Sequence, residues 1–335
     1  MERIMVIRVR ILVAISIALC ACTYDASYGD CAVHCDEGSE CPDGLTCGSE
    51  GLCRAAEADV CVLPNDGTGG TITHVNGSTI HMFSAAQSGS IFTPPIATSI
   101  VEALIVGGGG GGGSTRGGGG GGAGGLLHLP SFNLTQFPPG VPIRVTVGYG
   151  GGPATNGGDS SFGWFLAIGG GAGRPCATPN GGSGGGADHG GSSGGTGTTG
   201  QGNSGGLGGY EDGSMVFTGA GGGGAGGAGK NGASSAGGNG GPGLALSISG
   251  EQVYYAGGGG AGDQDLGTHG LSHGVGGGGG GGDGGLNAIG KDGVDGAGGG
   301  GGGGGGRVTE VGEPPFYAGG RGGNGVVIVS YETTW

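Results

Sequence analysis

Ile143, Val145 and Val147 alternate with Arg144 and Thr146. That period of two suits a strand with one face in a core and the other toward solvent. Further β-like segments follow the same logic: Thr79–Phe83, Ser99–Val106, Leu126–Leu129, Ile143–Gly148, Phe162–Ile168, Met215–Thr218, Leu244–Ile248 and Gln252–Ala256. The last, Val326–Tyr331, is a nearly unbroken apolar run that needs a sheet partner. After the first residues, no stretch offers ten residues of helical period without glycine, and each interior glycine costs a helix about 1 kcal/mol relative to alanine. The pattern predicts an all-β chain with long irregular connections and no helix beyond the N-terminal segment.

Composition explains the irregular part. Glycine supplies 104 of 335 residues, with blocks at Gly107–Gly113, Gly117–Gly122, Gly276–Gly282 and Gly298–Gly306. Residues without Cβ serve left-handed turns, close approach of one backbone to another, or flexible linkers. Sequence alone leaves all three open.

The N-terminus reads as an export signal: Arg3, Arg8 and Arg10, then the apolar run Ile11–Leu19. The run is shorter than the roughly 20 apolar residues a membrane-spanning helix needs. Leu19-Cys20-Ala21-Cys22 resembles a bacterial lipobox, with leucine three places before a cysteine and a small residue immediately before it. The resemblance implies cleavage after Ala21, lipidation of Cys22 and attachment to the membrane, with Thr23 pointing to the outer-membrane class. The chain carries a formal charge of −14, and losing this arginine-bearing segment makes it more acidic. So acidic a chain does not track nucleic-acid phosphates by counterion release.

Cys31, Cys35, Cys41, Cys47, Cys53 and Cys61 crowd one short stretch. In an exported chain an even cluster reads as disulfides, because a segment of about 40 residues cannot bury a stable core alone. Their spacing fits paired zinc knuckles poorly. Six cysteines allow 15 connectivities, and spacing does not choose among them. The run Cys35–Cys53 resembles small modules in lipoproteins of myxobacteria and their relatives. Cys176 stands alone downstream.

The organisation expected is a signal over residues 1–21, a disulfide-rich module over 22–61, a linker over 62–75 and a glycine-rich β domain over 76–335. Within that domain, Ile80-His-Met-Phe-Ser84, Ile91-Phe-Thr-Pro-Pro95 and Val101–Val106 running into polyglycine are similar to the opening of a glycine-rich domain. That domain occurs in bacterial exported proteins and phage tail adhesins. Pro142–Gly148, Gly157–Gly163 and Gly323–Tyr331 match its middle and end. The adhesin relatives imply packed polyglycine II, a helix of three residues per turn with no internal hydrogen bonds. The fold class expected is therefore all-β with polyglycine II-like segments. Ordering a residue costs about 1–2 kcal/mol of backbone entropy, and glycine more than most. Flexible blocks therefore stay open beside packed ones.

Dense glycine also produces chance motifs. Gly-x-Ser-x-Gly occurs around Ser183 and Ser204, without the strand and helix a nucleophile elbow requires. Gly224–Lys230 and Gly285–Lys291 are similar to phosphate loops, but Asn231 and Asp292 stand where magnesium needs a hydroxyl. His269, His273, Asp263, Asp265, Asp283, Asp292 and Asp295 are the candidate metal ligands, yet none fits a calcium-binding nonapeptide. Trp164 reads as core beside Phe162 and Phe165. The expectation is a non-catalytic, surface-anchored structural or adhesive lipoprotein of the outer membrane with no cofactor. Its partners would be the membrane, through the lipid, and a surface protein or glycan. The alternative is a secreted enzyme or a calcium-dependent binder using the Asp/His loops.

Overall fold

The computed structural model describes residues 66–333 except 96–97, 138–140, 174–179, 191–192, 212–215, 265–271 and 307–315, together with 41, 45–47 and 53–55. The chain divides into two units, Met1–Leu63 and Pro64–Trp335. In the first, β1 (Leu45–Cys47) pairs antiparallel with β2 (Cys53–Ala55), Cys47 facing Cys53 in register. Cys41 is disulfide-bonded to the buried Cys53. Cys22, Cys31, Cys35, Cys61 and Cys176 lie outside the described residues.

The second unit is all-β, its only helical pieces among the described residues being two single 3-10 turns. Its largest sheet has five antiparallel strands: β3 (Thr71–Val75), β4 (Ser78–Phe83), β6 (Ile100–Val106), β7 (Leu126–Asn133) and β16 (Val326–Glu332), in the order β3-β4-β16-β6-β7. A second sheet, from β5 (Ile91–Phe92), β8 (Ile143–Thr146), β9 (Ser160–Phe162) and β10 (Phe165–Ala167), runs β10-β9-β8-β5. Val101, Ala103, Ile105, Val327 and Val329 of the first sheet join Phe92, Ile143, Val145 and Phe162 of the second in one core. The intervening residues of the same strands, Leu104, Val106, Val326 and Ile328, point the other way into a second apolar layer with Ile248 and Tyr255. The latter layer involves the hairpin of β13 (Leu244–Leu246) and β14 (Val253–Tyr255). Burial on both faces is why β16 reads as a continuous apolar run and β8 as an alternation.

Four details differ from the sequence reading. Gly209–Glu211 and Asp263–Gln264 are short strands it did not include. Thr71–Val75, within the expected linker, is an edge strand closed onto β4 by the Asn76-Gly77 turn. Phe162–Ile168 is two strands, because Gly163 takes a φ of +58° and turns the chain. That turn also corrects Trp164. It is 55% exposed and lies over Phe137, ring centroids 4.0 Å apart, instead of entering the core.

The glycine blocks are ordered, and their hydrogen bonds have a period of three. Along Gly107–Gly113 the N–H groups of Gly107, Gly110 and Gly113 donate to Gly125, Gly122 and Gly119. Those of Gly108 and Gly111 go to Gly158 and Thr155, and those of Gly109 and Gly112 to Gly323 and Gly320. The carbonyls face three further segments. Gly108 and Gly111 accept from Gly170 and Gly173, Gly109 and Gly112 from Gly151 and Ala154, and Gly110 and Gly113 from Gly301 and Gly304. One segment therefore touches six neighbours, antiparallel through its donors and parallel through its acceptors. Each third residue returns to the same neighbour, which is polyglycine II packed as a hexagonal lattice.

Close approach is what glycine provides here. None of Gly107–Gly113 takes left-handed φ, but a Cβ on Gly109, Gly111 or Gly112 would overlap the carbonyls of Gly299, Gly152 or Gly302. The rim of the lattice uses Asx-Gly pairs. Asn180, Asn231, Asn239, Asp292 and Asp295 each accept the N–H of Thr196, Leu207, Val275, Arg321 and Asn324 on side-chain Oδ1. The glycine after each donates back to the carbonyl of that same residue. Asn156, Asp283 and Asn324 make a similar clasp, with the return bond two residues earlier. A side-chain amide or carboxylate thus substitutes for a missing backbone carbonyl at the edge, where an unpaired N–H would otherwise remain.

Gly112→Ala should lose about 1–3 kcal/mol or more through overpacking. Gly278 has no heavy atom near its Cβ position and no positive φ, so Gly278→Ala should be neutral or stabilising by up to about 1 kcal/mol. Denaturant unfolding of the two variants measures both.

Candidate functional site

The lattice segments run between two ends. At one, Gly107, Gly125, Gly148 and Gly325 adjoin the strands of the sandwich, β6, β7, β8 and β16. At the other, Gly113 pairs with Gly119, and Gly117 bridges Gly305. Turns close the segments at both ends: those near Gln201 and Gly296–Gly298 lie beside the sandwich, and another group gathers at this second end. Ser114-Thr115-Arg116, Asp188-His189 and a three-stranded sheet of β11 (Gly209–Glu211), β12 (Val216–Thr218) and β15 (Asp263–Gln264) meet there.

A linked set of side chains crosses this tip. The Arg116 guanidinium sits 5.5 Å from the centroid of the Phe217 ring, a cation–π distance. The edge of His189 meets the same ring at 4.9 Å, and its Nδ1 lies 3.7 Å from Asp188 Oδ2. Burial pushes the Asp188 carboxyl up to about 7. Burial, then the nearby Arg116 charge, lowers His189. Asp263 is fully buried opposite Thr218 in the β12–β15 pairing. Its Oδ2 accepts the Gly237 N–H at 2.7 Å, and burial raises the carboxyl to about 7. Asp188 Oδ1, Thr218 Oγ1 and Asp263 Oδ1 are buried without a hydrogen-bond partner among the described residues. Beside the tip, Lys230, Asn231, Asn239, Ser272 and His273 line an open groove of about 520 Å³.

A second polar cluster fastens the sandwich end. His81 is fully buried, with Nδ1 2.7 Å from the Gly69 carbonyl and Nε2 2.7 Å from that of Asp66 and 2.8 Å from the Tyr331 hydroxyl. The Tyr331 hydroxyl also donates to the Asp66 carbonyl, and Thr79 bonds both the Asp66 carboxylate and Thr333. The network ties the start of the second unit to β4 and β16. Desolvation lowers His81, opposed by its backbone hydrogen bonds.

The residues singled out in the sequence scatter. Asp283, Asp292 and Asp295 serve as clasp acceptors, and Asp263 accepts the lattice N–H of Gly237. Lys291 of the loop similar to a phosphate site pairs with Asp283 at 2.8 Å. Ser183 is buried within the lattice. His273 lines the groove, whereas His269 and Asp265 lie outside the described residues. Among the described residues no three His, Cys, Asp or Glu side chains gather as a metal site. Phe217 was read only as part of the β-like segment Met215–Thr218, and Arg116, Asp188 and His189 escaped sequence reading. The only signal of these three is that they break glycine runs, which marks turns without saying which turns meet.

The buried carboxyls fix a pH dependence. Asp263 has a higher pKa folded (about 7) than its ordinary value of 3.8, so the folded state binds the extra proton between these values. Its contribution to stability is present below about pH 4 and is lost as pH rises through about 7. His81 acts oppositely, its contribution present above 6.5 and lost as pH falls below it. Asp263→Asn keeps an acceptor for Gly237. It should therefore melt several degrees above the wild type at pH 8 and no higher at pH 4, by calorimetry.

Comparison with known proteins places this architecture. No curated protein and no solved structure matches the chain. A family model described as a glycine-rich domain matches residues 84–332, from just after β4 to the end of β16. The chain therefore belongs to the glycine-rich domain family.

Proposed function

We propose that the protein is a non-catalytic structural or adhesive lipoprotein of the bacterial outer membrane, held by a lipidated Cys22. The lattice acts as a stiff spacer, and its tip and adjacent groove meet a surface protein or glycan. The observation that carries this reading is the direction of the second unit. Its first described residues, Asp66–Gly70, are fastened at the sandwich end, while Ser114–Arg116, Asp188-His189 and the β11–β12–β15 sheet lie at the opposite end of the lattice. An anchor joined through Asp66 leaves that tip as the part farthest along the lattice from the attachment. At about 3.1 Å per residue, Gly107–Gly113 spans roughly 20 Å.

The use of polar side chains supports a structural role. Asp283, Asp292 and Asp295, candidate ligands of the calcium-dependent alternative, are engaged with lattice N–H groups. Asp283 is held below the usual carboxylate range by its Lys291 and Gly276 hydrogen bonds. An acidic surface with little lysine also suits repulsion from nucleic acid and from anionic small substrates.

The reading is tested in cells fed labelled palmitate, with an epitope inserted at the exposed turn Ser234-Ser235. Label should enter the wild type and be absent from Cys22→Ala, and intact cells carrying the wild type should bind antibody. Label persisting in Cys22→Ala overturns the anchor. An epitope reached only after the outer membrane is opened overturns display at the surface.

A further inference from the structure

The chain contains six Asn-Gly pairs, at Asn76, Asn156, Asn180, Asn231, Asn239 and Asn324. This dipeptide is prone to cyclisation, because glycine leaves its own nitrogen unhindered for attack on the preceding side chain. In five of the six the clasp holds both reacting groups. Side-chain Oδ1 accepts a neighbour's N–H at 2.9–3.0 Å, and the following glycine N–H donates to a carbonyl of the same neighbouring segment. Attack would require breaking both bonds and lifting the pair away from the lattice rim.

Asn76-Gly77 is built differently. It forms the two-residue loop between β3 and β4, where Val75 faces Ser78. Both residues have positive φ, +51° and +80°, the signature of a type I′ turn. Both are exposed, and nothing lies within 4 Å of a Cβ built on Gly77. Among the described residues, no clasp holds the Asn76 side chain or the Gly77 N–H. The turn joins the edge strand β3 to β4, and apart from the Thr333 N–H that bonds the Gly77 carbonyl it is free to open without disturbing any lattice segment.

We propose that Asn76 is a site of spontaneous deamidation, and that the clasp protects the other five asparagines while the chain is folded. The Gly77 nitrogen loses its proton and bonds to Asn76 Cγ. The bond from Cγ to the side-chain nitrogen breaks, and ammonia leaves a five-membered succinimide. Water then opens either ring carbonyl, giving aspartate or isoaspartate at position 76. One water enters, one ammonia departs, and no oxidant or reductant takes part. The isoaspartate product routes the main chain through Cβ and lengthens a loop whose two residues set the β3–β4 register. The inference is independent of the proposed anchoring and adhesion, since it concerns the folded second unit alone.

The full-length protein needs no variant for the test. It is incubated at mildly alkaline pH, folded in one arm and in concentrated guanidinium in the other. Peptide mapping by mass spectrometry then follows amide-to-acid conversion at each Asn-Gly pair, with isoaspartate resolved chromatographically. In the folded arm Asn76 should convert at least about tenfold faster than each clasped asparagine, since the clasped pairs must first open locally. In denaturant all six should convert at similar rates. A folded-state rate at Asn76 no faster than at the clasped five overturns the proposal. So does a spread of rates in denaturant that matches the folded order, since local sequence and not the clasp would then set it.

Discussion

Every peptide unit in a bundle of polyglycine II has to find its hydrogen-bond partners outside its own segment, because the helix makes none internally. The rest of the second unit follows from that constraint. Gly107–Gly113 satisfies it by donating to three antiparallel neighbours and accepting from three parallel ones. Such an arrangement requires backbones so close that Cβ atoms would overlap neighbouring carbonyls. Glycine is there for its missing side chain more than for its left-handed freedom. Alanine enters at positions such as Ala123, Ala172, Ala187, Ala220 and Ala261, all of them buried.

A side-chain-free lattice has no hydrophobic core of its own, so it depends on the sandwich that begins and ends it. Strands β6 and β16 pair with each other and lead directly into or out of glycine segments. Their two apolar faces, one against the second sheet and one toward the β13–β14 hairpin, fix the register from which the lattice grows. At the rim the constraint changes character. An edge segment lacks a neighbour on one side, and Asx side chains followed by glycine supply the missing acceptor. Few polar side chains are then left for chemistry within the lattice, which directs attention to the tip where the turns meet.

The strands were legible because side chains carry their signal. Alternation at Ile143–Val147 and the apolar run at Val326–Val329 both name their environments. Strand β3 was not, since Thr71–Val75 is an exposed edge with a mostly outward pattern, and the two- and three-residue strands β15 and β11 are too short to carry one. The packing of the glycine blocks was implied only through resemblance. A run of identical residues has no phase, so its period of three shows only in the partners it selects. Of the Asx-Gly pairs, Asp283, Asp292 and Asp295 were visible only as candidate cation ligands, and the Asn-Gly pairs carried no reading. Their clasp geometry appears only when the neighbouring segment is in place. The tip was the least readable, because Arg116, Asp188, Phe217 and Asp263 lie far apart in sequence and meet through lattice register alone.

The glycine blocks form a hydrogen-bonded lattice cooperative with the sandwich. Native-state hydrogen exchange resolved to the amides of Gly109–Gly113 and Gly300–Gly304 tests it most directly. These amides should exchange as slowly as those of β6 and β16, through global unfolding. Exchange of the glycine amides within the dead time, while the strands stay protected, would contradict it.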